Sequence, residues 1–309
     1  MKNTVILTAF AAIAAANASF TGNSTHFVDP TTNQIIQHFE CDVHQGKASA
    51  HFNRTIAALH RDPSQHFHRR TLVDGNVEPH NLAITIPLYF HIITKTTSVG
   101  SITQAVVGQQ LVALNTAYRP YGIRFVLQAT TFTANDAWAI GAGDDLAAAK
   151  TALRKGTYNT LNFYFHTDLT AGLLGTCTLP SDFSNGLAAS AYSTDGCSIN
   201  AHTLPGGSFA GYNLGKTAVH ETGQWLGLLH TFEGNSCTGP GDSITDTPAE
   251  SVSTSGCPVK PPKDSCPSIA GFDPVHNYMD YPTGECYTNF TPGQVARIDK
   301  LWKTYRAGR

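Results

Sequence analysis

Charged side chains are scarce in this 309-residue chain: Asp, Glu, Lys and Arg make up 14% of it, and the formal net charge is -2. No basic run with interleaved aromatics occurs, which argues against nucleic acid as a partner. Beyond the first twenty residues no apolar stretch reaches the ~20 residues that a bilayer-crossing helix requires, so no membrane span is expected. No internal repeat recurs, which sets aside a repeat architecture. What is present is apolar and small polar. Hydrophobic residues are 41% of the chain, enough for a real core, and the plentiful Ser, Thr, Asn and Gly suit an extracellular surface.

The first residues carry an address. Met1-Lys2 is a short positive start, Val5 to Ala16 is apolar apart from Thr8, and Ala16-Asn17-Ala18 has the small-x-small cleavage pattern. Residues 1–18 therefore read as a signal peptide, and the protein as secreted. Residues 19–80 are rich in histidine and polar clusters without a sustained period. The dibasic Arg69-Arg70 would suit a processing protease. This region reads as a pro-segment, or alternatively a flexible arm, with the mature chain starting near Thr71. In an oxidising compartment Cys177, Cys197, Cys237, Cys257, Cys266 and Cys286 should pair, though six cysteines allow fifteen connectivities. Cys41 is left alone near the front. Asn23, Asn53 and Asn289 sit in N-glycosylation acceptor triplets.

From Ile84 the pattern becomes regular. Ile84, Ile86, Leu88, Phe90 and Ile92 alternate as a half-buried strand, and Pro87 pushes it toward a sheet edge. Val107, Leu111, Leu114 and Tyr118 mark a helix closed by Pro120. Ile123, Phe125 and Leu127 alternate again. Asp144 is a candidate cap for a helix burying Leu146, Ala149 and Leu153, and Leu161, Phe163 and Phe165 form a further strand. Strand, helix, strand, helix, strand predicts an α/β domain over residues 81–309, a mixed sheet with helices packed on it. After His230 the chain is loop-rich and cysteine-dense, so disulfides are expected to hold it.

The chemistry lies in His220-Glu221-Thr222-Gly223-Gln224-Trp225-Leu226-Gly227-Leu228-Leu229-His230. Residues four apart on a helix lie ~40° apart around the axis, so 220 and 224 face one spot with Glu221 beside them. Gly227 can take a positive φ, end the helix and turn the chain so that His230 approaches the same spot. The pattern is the zinc-binding arrangement His-Glu-x-x-His-x-x-Gly-x-x-His of metzincins, with glutamine at the second ligand position. Asn277-Tyr278-Met279-Asp280-Tyr281, some fifty residues on, looks like the Met-turn that places a methionine under the metal.

These stretches, with Gly241 to Pro248 and Phe290-Thr291-Pro292-Gly293-Gln294, resemble the pappalysin family, and in particular its secreted fungal metalloproteases and the ulilysin type. The resemblance covers roughly residues 84 to 302. It implies a metzincin fold: a twisted mixed sheet with two long helices in an N-terminal subdomain, and an irregular, disulfide-bonded C-terminal subdomain. It implies Zn²⁺ held by His220, Gln224 and His230, Glu221 as general base and Tyr281 as donor to the tetrahedral oxyanion. It also implies the pairs Cys237–Cys266, Cys257–Cys286 and Cys177–Cys197, and Ca²⁺ in the loop after the third histidine, with Asp246 and Thr247 contributing. Some members of the family stay latent through a pro-segment cysteine on the metal, a role that Cys41 would fill.

The expected activity is endopeptidase cleavage of proteins or peptides by a monomer. Zinc would lower the pKa of a water and Glu221 would move its proton. Gln224 disturbs this scheme, because an amide oxygen is a neutral, harder donor than the imidazole zinc prefers. Zinc affinity is expected to be reduced, giving a weakened protease. The alternatives are a metal-free pseudoenzyme that binds peptides or proteins, and a substitution introduced to inactivate the protein. Compensation by His202 or His276 is open at this level.

Overall fold

The computed structural model describes residues 27–28, 35–36, 41, 48–62, 82–169, 172–183 and 186–309. The expected signal peptide, Asn23, Arg69-Arg70 and the chain start near Thr71 lie outside them. Two short strands, β1 (Phe27–Val28) and β2 (Ile35–Ile36), pair antiparallel. Helix α1 (Ala50–Arg61) follows, its first turn capped by the Ser49 side chain, which accepts from the Phe52 N–H at 3.1 Å.

The sheet is built from β3 (Ile84–Thr94), β4 (Ile123–Ala134), β5 (Leu161–His166), β6 (Gly175–Cys177) and β7 (Cys197–Asn200). Its spatial order is β4-β3-β5-β7-β6, with every neighbouring pair parallel except β6 against β7. Four parallel strands and one antiparallel edge make the mixed α/β sheet that the alternation predicts. The edge position expected from Pro87 is corrected, since β3 lies between β4 and β5. Proline is tolerated because pairing with β5 starts only at Leu88, so at Pro87 the strand has β4 alone beside it.

Helix α2 (Gln104–Tyr118) starts at the Thr103 cap and buries Val107, Leu114 and Tyr118 against the sheet. It ends before Pro120, with Gly122 at φ 77° closing the short turn that follows. After α3 (Asp136–Ile140) comes α4 (Gly143–Leu153). Its N-cap is Ala142, not Asp144, which sits in the first turn where a carboxylate favours the helix dipole without capping. Ala149 is buried on α4, while Leu146 and Leu153 are only half-buried. Helix α5 (Ala189–Ser193) precedes β7. Helix α6 (Lys216–Trp225) is buried along its whole length from Thr217. Two bonds lash α2 to it: Tyr118 Oη donates to the Val219 carbonyl at 2.8 Å, and Gln110 Nε2 to that of Gly215 at 3.0 Å.

Beyond His230 the chain is irregular until α7 (Pro292–Leu301), which begins with a capping box between Thr291 and Gln294. Two disulfides, Cys237–Cys266 and Cys257–Cys286, tie this region to itself, and Cys177–Cys197 joins β6 to β7. A turn of π-helix, residues 302–306, ends on Arg306, which is buried. No helix among the described residues is long and apolar enough to cross a membrane.

Candidate metal centre

Helix α6 presents His220, Glu221 and Gln224 on one face, all fully buried. It stops where Gly227 takes φ 96°, in the left-handed region that favours glycine. The close approach of Leu301 enforces the same choice, because a Cβ on Gly227 would fall 2.3 Å from Leu301 Cδ1. The chain turns there and brings His230 back, its ring centroid 5.2 Å from that of His220. Tyr281 closes the third side, 5.5 Å from the His220 ring and 5.1 Å from that of His230.

The orientation of each group is fixed by partners outside the centre. His220 Nδ1 lies 2.8 Å from the Tyr278 carbonyl and must donate to it, which leaves the Nε2 lone pair aimed inward. Burial holds His220 down to about 4 against its backbone hydrogen bonds, so the ring is neutral. His230 stacks on Phe232 at 4.9 Å. Gln224 Nε2 stands 2.7 Å from His230 Nε2 and 3.4 Å from His220 Nε2. The Nε2 atoms of the two histidines and Cys41 Sγ are mutually within reach of a single ion, all ligand atoms of this group lying within 4.8 Å of one another.

Glu221 is the most perturbed acid here. Its carboxylate is buried and neither oxygen accepts a hydrogen bond of sound geometry. Burial pushes it up to about 8, against the pull of the Cys41 thiol and the Lys150 ammonium. A Cβ on Gly175 of β6 would fall 2.6 Å from Glu221 Oε1, so the bare backbone of the edge strand makes room for the carboxylate. Met279 is fully buried beneath the helix, and a Cβ on Gly223 would meet its Sδ at 2.4 Å. The turn bearing Met279 is held by Asn277, whose Oδ1 accepts from the Met279 N–H and whose side chain exchanges two hydrogen bonds with Gln294.

Cys41 reaches the same spot. Its Sγ donates to Gln224 Oε1 at 3.2 Å. Its backbone N–H donates to Tyr281 Oη at 3.2 Å, its carbonyl accepts from that hydroxyl at 3.1 Å, and it bridges in parallel to Gly175. The other expected residues stay apart. Both Asp246 oxygens are engaged at the start of α7, by Thr291 Oγ1 at 2.8 Å and the Gly293 N–H at 2.9 Å. The Thr247 hydroxyl is buried and turned to the Asp242 carboxyl. Among the described residues no group of three or more acidic side chains converges there. His202 is engaged by the Thr167 carbonyl and Ser208, and His276 by the Cys286 carbonyl; neither joins the centre. Reading the sequence missed Gly175, whose bare backbone makes room for Glu221, and Lys150, whose ammonium acts on that carboxylate electrostatically; no local pattern announces either.

Known proteins resemble this chain closely. The sequence profile of the Pregnancy-associated plasma protein-A peptidase family matches residues 153–302. An extracellular metalloprotease of Pyricularia oryzae is 46% identical over 238 residues, 76% of this chain and 81% of that relative. One from Verticillium alfalfae is 40% identical over 301 residues, 96% of this chain and 99% of the other. Among solved structures, mature Tannerella forsythia mirolysin with a cleaved peptide is 27% identical, with a TM-score of 0.61, covering 71% of this chain and 91% of its own. A promirolysin mutant has the same fold at 24% identity and a TM-score of 0.62, and covers 85% of this chain.

Proposed function

Because the chain belongs to the pappalysin family of metalloproteases, we propose that it is a secreted zinc endopeptidase whose metal site is weakened by Gln224. The observation that carries this reading is the convergence of two inward-facing imidazole nitrogens and a fully buried carboxylate on α6. That donor set fits zinc. His220 and His230 would hold the ion, with Gln224 as third ligand once Cys41 has left. When bound, zinc supplies Lewis acidity to the scissile carbonyl and acidifies a water.

The protein's own groups account for the remainder. Glu221, buried beside the two histidines, takes a proton from the water and returns it to the leaving amine once the Cys41 thiol has left it. Tyr281 already donates to a peptide carbonyl, that of Cys41, and burial keeps its phenol well above the usual range, so it remains a donor to the developing oxyanion. The edge strand β6 runs beside Glu221, and Cys41 pairs with it at Gly175, the place a substrate strand would take once Cys41 has left. Residues 19–80 serve in this reading as a pro-segment and residues 1–18 as the signal peptide, and the mature enzyme acts as a monomer.

A second reading, a peptide-binding pseudoenzyme, is favoured by one contact: the Gln224 amide nitrogen faces both histidines. Zinc content and casein cleavage of the parent, Gln224→His and Glu221→Ala decide between them. We expect weak cleavage by the parent, at least about 10-fold more in Gln224→His, since loss of even outer support costs ~10–100-fold, and none in Glu221→Ala. A parent with no zinc and no activity above Glu221→Ala overturns the protease reading in favour of the pseudoenzyme.

A further inference from the structure

Three imidazoles would offer three lone pairs to this centre; this chain offers two lone pairs and an amide. As Gln224 is oriented, its Nε2 donates to His230 Nε2 at 2.7 Å and lies 3.4 Å from His220 Nε2, while its Oε1 points outward to Cys41 Sγ. For Gln224 to serve as a ligand its amide must turn over, giving up the hydrogen bond to His230 and the one from the thiol. The third strong zinc donor already in reach is the Cys41 sulfur, and a thiolate is a far better match for zinc than a carboxamide oxygen.

Cys41 is also firmly placed. Its backbone is clamped by Tyr281 and Gly175. Further along the same segment, Phe52, Ile56 and Leu59 of α1 pack with Leu229, Leu301 and Tyr305 in one buried cluster. Tyr305 Oη lies 2.9 Å from His51 Nδ1 and donates to Thr55 Oγ1 at 3.0 Å. Leu229 immediately precedes His230, so the docked pro-segment braces both the sulfur and the loop that carries the third ligand.

We propose that in this chain Cys41 replaces the missing histidine, so that zinc is held by His220, His230 and Cys41, and retention of the metal depends on retention of the pro-segment. This rests on the zinc-site reading given above but goes beyond latency. With three histidines a leaving cysteine only uncovers a metal that stays bound. Here its departure removes one of the three good ligands and leaves the amide of Gln224 in its place, so activation is coupled to a loosened hold on the metal.

A double-mutant cycle on the full chain tests this, with zinc affinity measured by chelator competition in the parent, Cys41→Ser, Gln224→His and the double variant. Far-ultraviolet circular dichroism reports the fold of each, and a thiolate-to-metal charge-transfer band on cobalt substitution reports sulfur ligation. We expect Cys41→Ser to weaken zinc binding by about 100-fold or more, the upper end of what losing a hydrogen-bonded support behind a ligand costs, and to abolish the cobalt band. In the Gln224→His background the same change should cost under about 10-fold, because three imidazoles then suffice. An equal cost of Cys41→Ser in both backgrounds, or a parent without the cobalt band, overturns the inference and leaves the protease reading standing. Absence of zinc binding in all four folded proteins overturns both.

Discussion

Two glycines crowd the centre, and each leaves room for a side chain buried there, Gly175 for Glu221 and Gly223 for Met279. Gly175 leaves the space filled by Glu221 Oε1, which a Cβ would approach to 2.6 Å. Gly175→Ala should push the carboxylate aside while sparing the histidines. We expect kcat/KM for peptide cleavage to fall about 100-fold, the usual cost of misplacing a reacting group by ~1 Å, with zinc content unchanged. Unchanged cleavage would remove Glu221 from the role of base. Gly223→Ala drives a methyl toward Met279 Sδ, 2.4 Å away. Overpacking of that kind costs about 1–3 kcal/mol, which a urea midpoint reads directly. The convergence of His220 and Gln224 is visible in the sequence because helix geometry fixes what residues four apart share, and that of His230 because Gly227 marks the turn before it. Gly175 is not, because its constraint comes from a different strand.

Helix α6 is fixed at its far end by a buried ionic knot that no periodicity marks. The Asp195 carboxylate accepts from Trp225 Nε1 at 3.0 Å, from two Arg306 nitrogens at 3.1 and 3.2 Å, from Arg154 at 3.4 Å and from Thr178 Oγ1 at 2.8 Å. Arg306 also stacks over the Trp225 ring at 3.5 Å and donates to the Trp225 carbonyl, so the tail grips the last turn of the helix. Removing one partner of a buried ion pair strands the others. Asp195→Ala should therefore cost about 3–5 kcal/mol in urea unfolding, well beyond the loss of a surface ion pair. A loss below 1 kcal/mol would show that water reaches the two guanidinium groups. The strands β3, β4 and β5 and the helix α2 were legible because alternation and 3.6-residue spacing report a buried face. Asp195 and Arg306 belong to a bend and a tail, where pairing is set only by the finished fold.

For the molecule as a whole, sequence reading captured the layered sheet-and-helix plan and the motif but not the burial of titratable groups within it. His91 and His166 stand on adjacent central strands, both fully buried. Burial lowers each to about 4, in spite of the Asn162 and Trp138 hydrogen bonds that favour the charged form. Unfolded imidazole titrates near 6.5, so between about 4 and 6.5 the unfolded chain binds more protons than the native one. The contribution of such a histidine to stability is therefore complete above pH 6.5 and is lost as pH falls toward 4. Buried acids run the other way: Glu250 and Asp242 are raised to about 8 and about 7, chiefly by burial, and favour the native state as pH falls. The histidine effect is thus read as a difference between parent and variant. His166 is the cleaner target, since its Nδ1 donates to the Trp138 carbonyl at 2.8 Å and an asparagine amide can take over that bond. Relative to His166→Asn, the parent should lose about 2 kcal/mol of unfolding free energy between pH 7 and pH 5, measured from urea curves at the two values. A parent and variant that fall in parallel would mean that the folded protein protonates His166 as readily as the unfolded chain does.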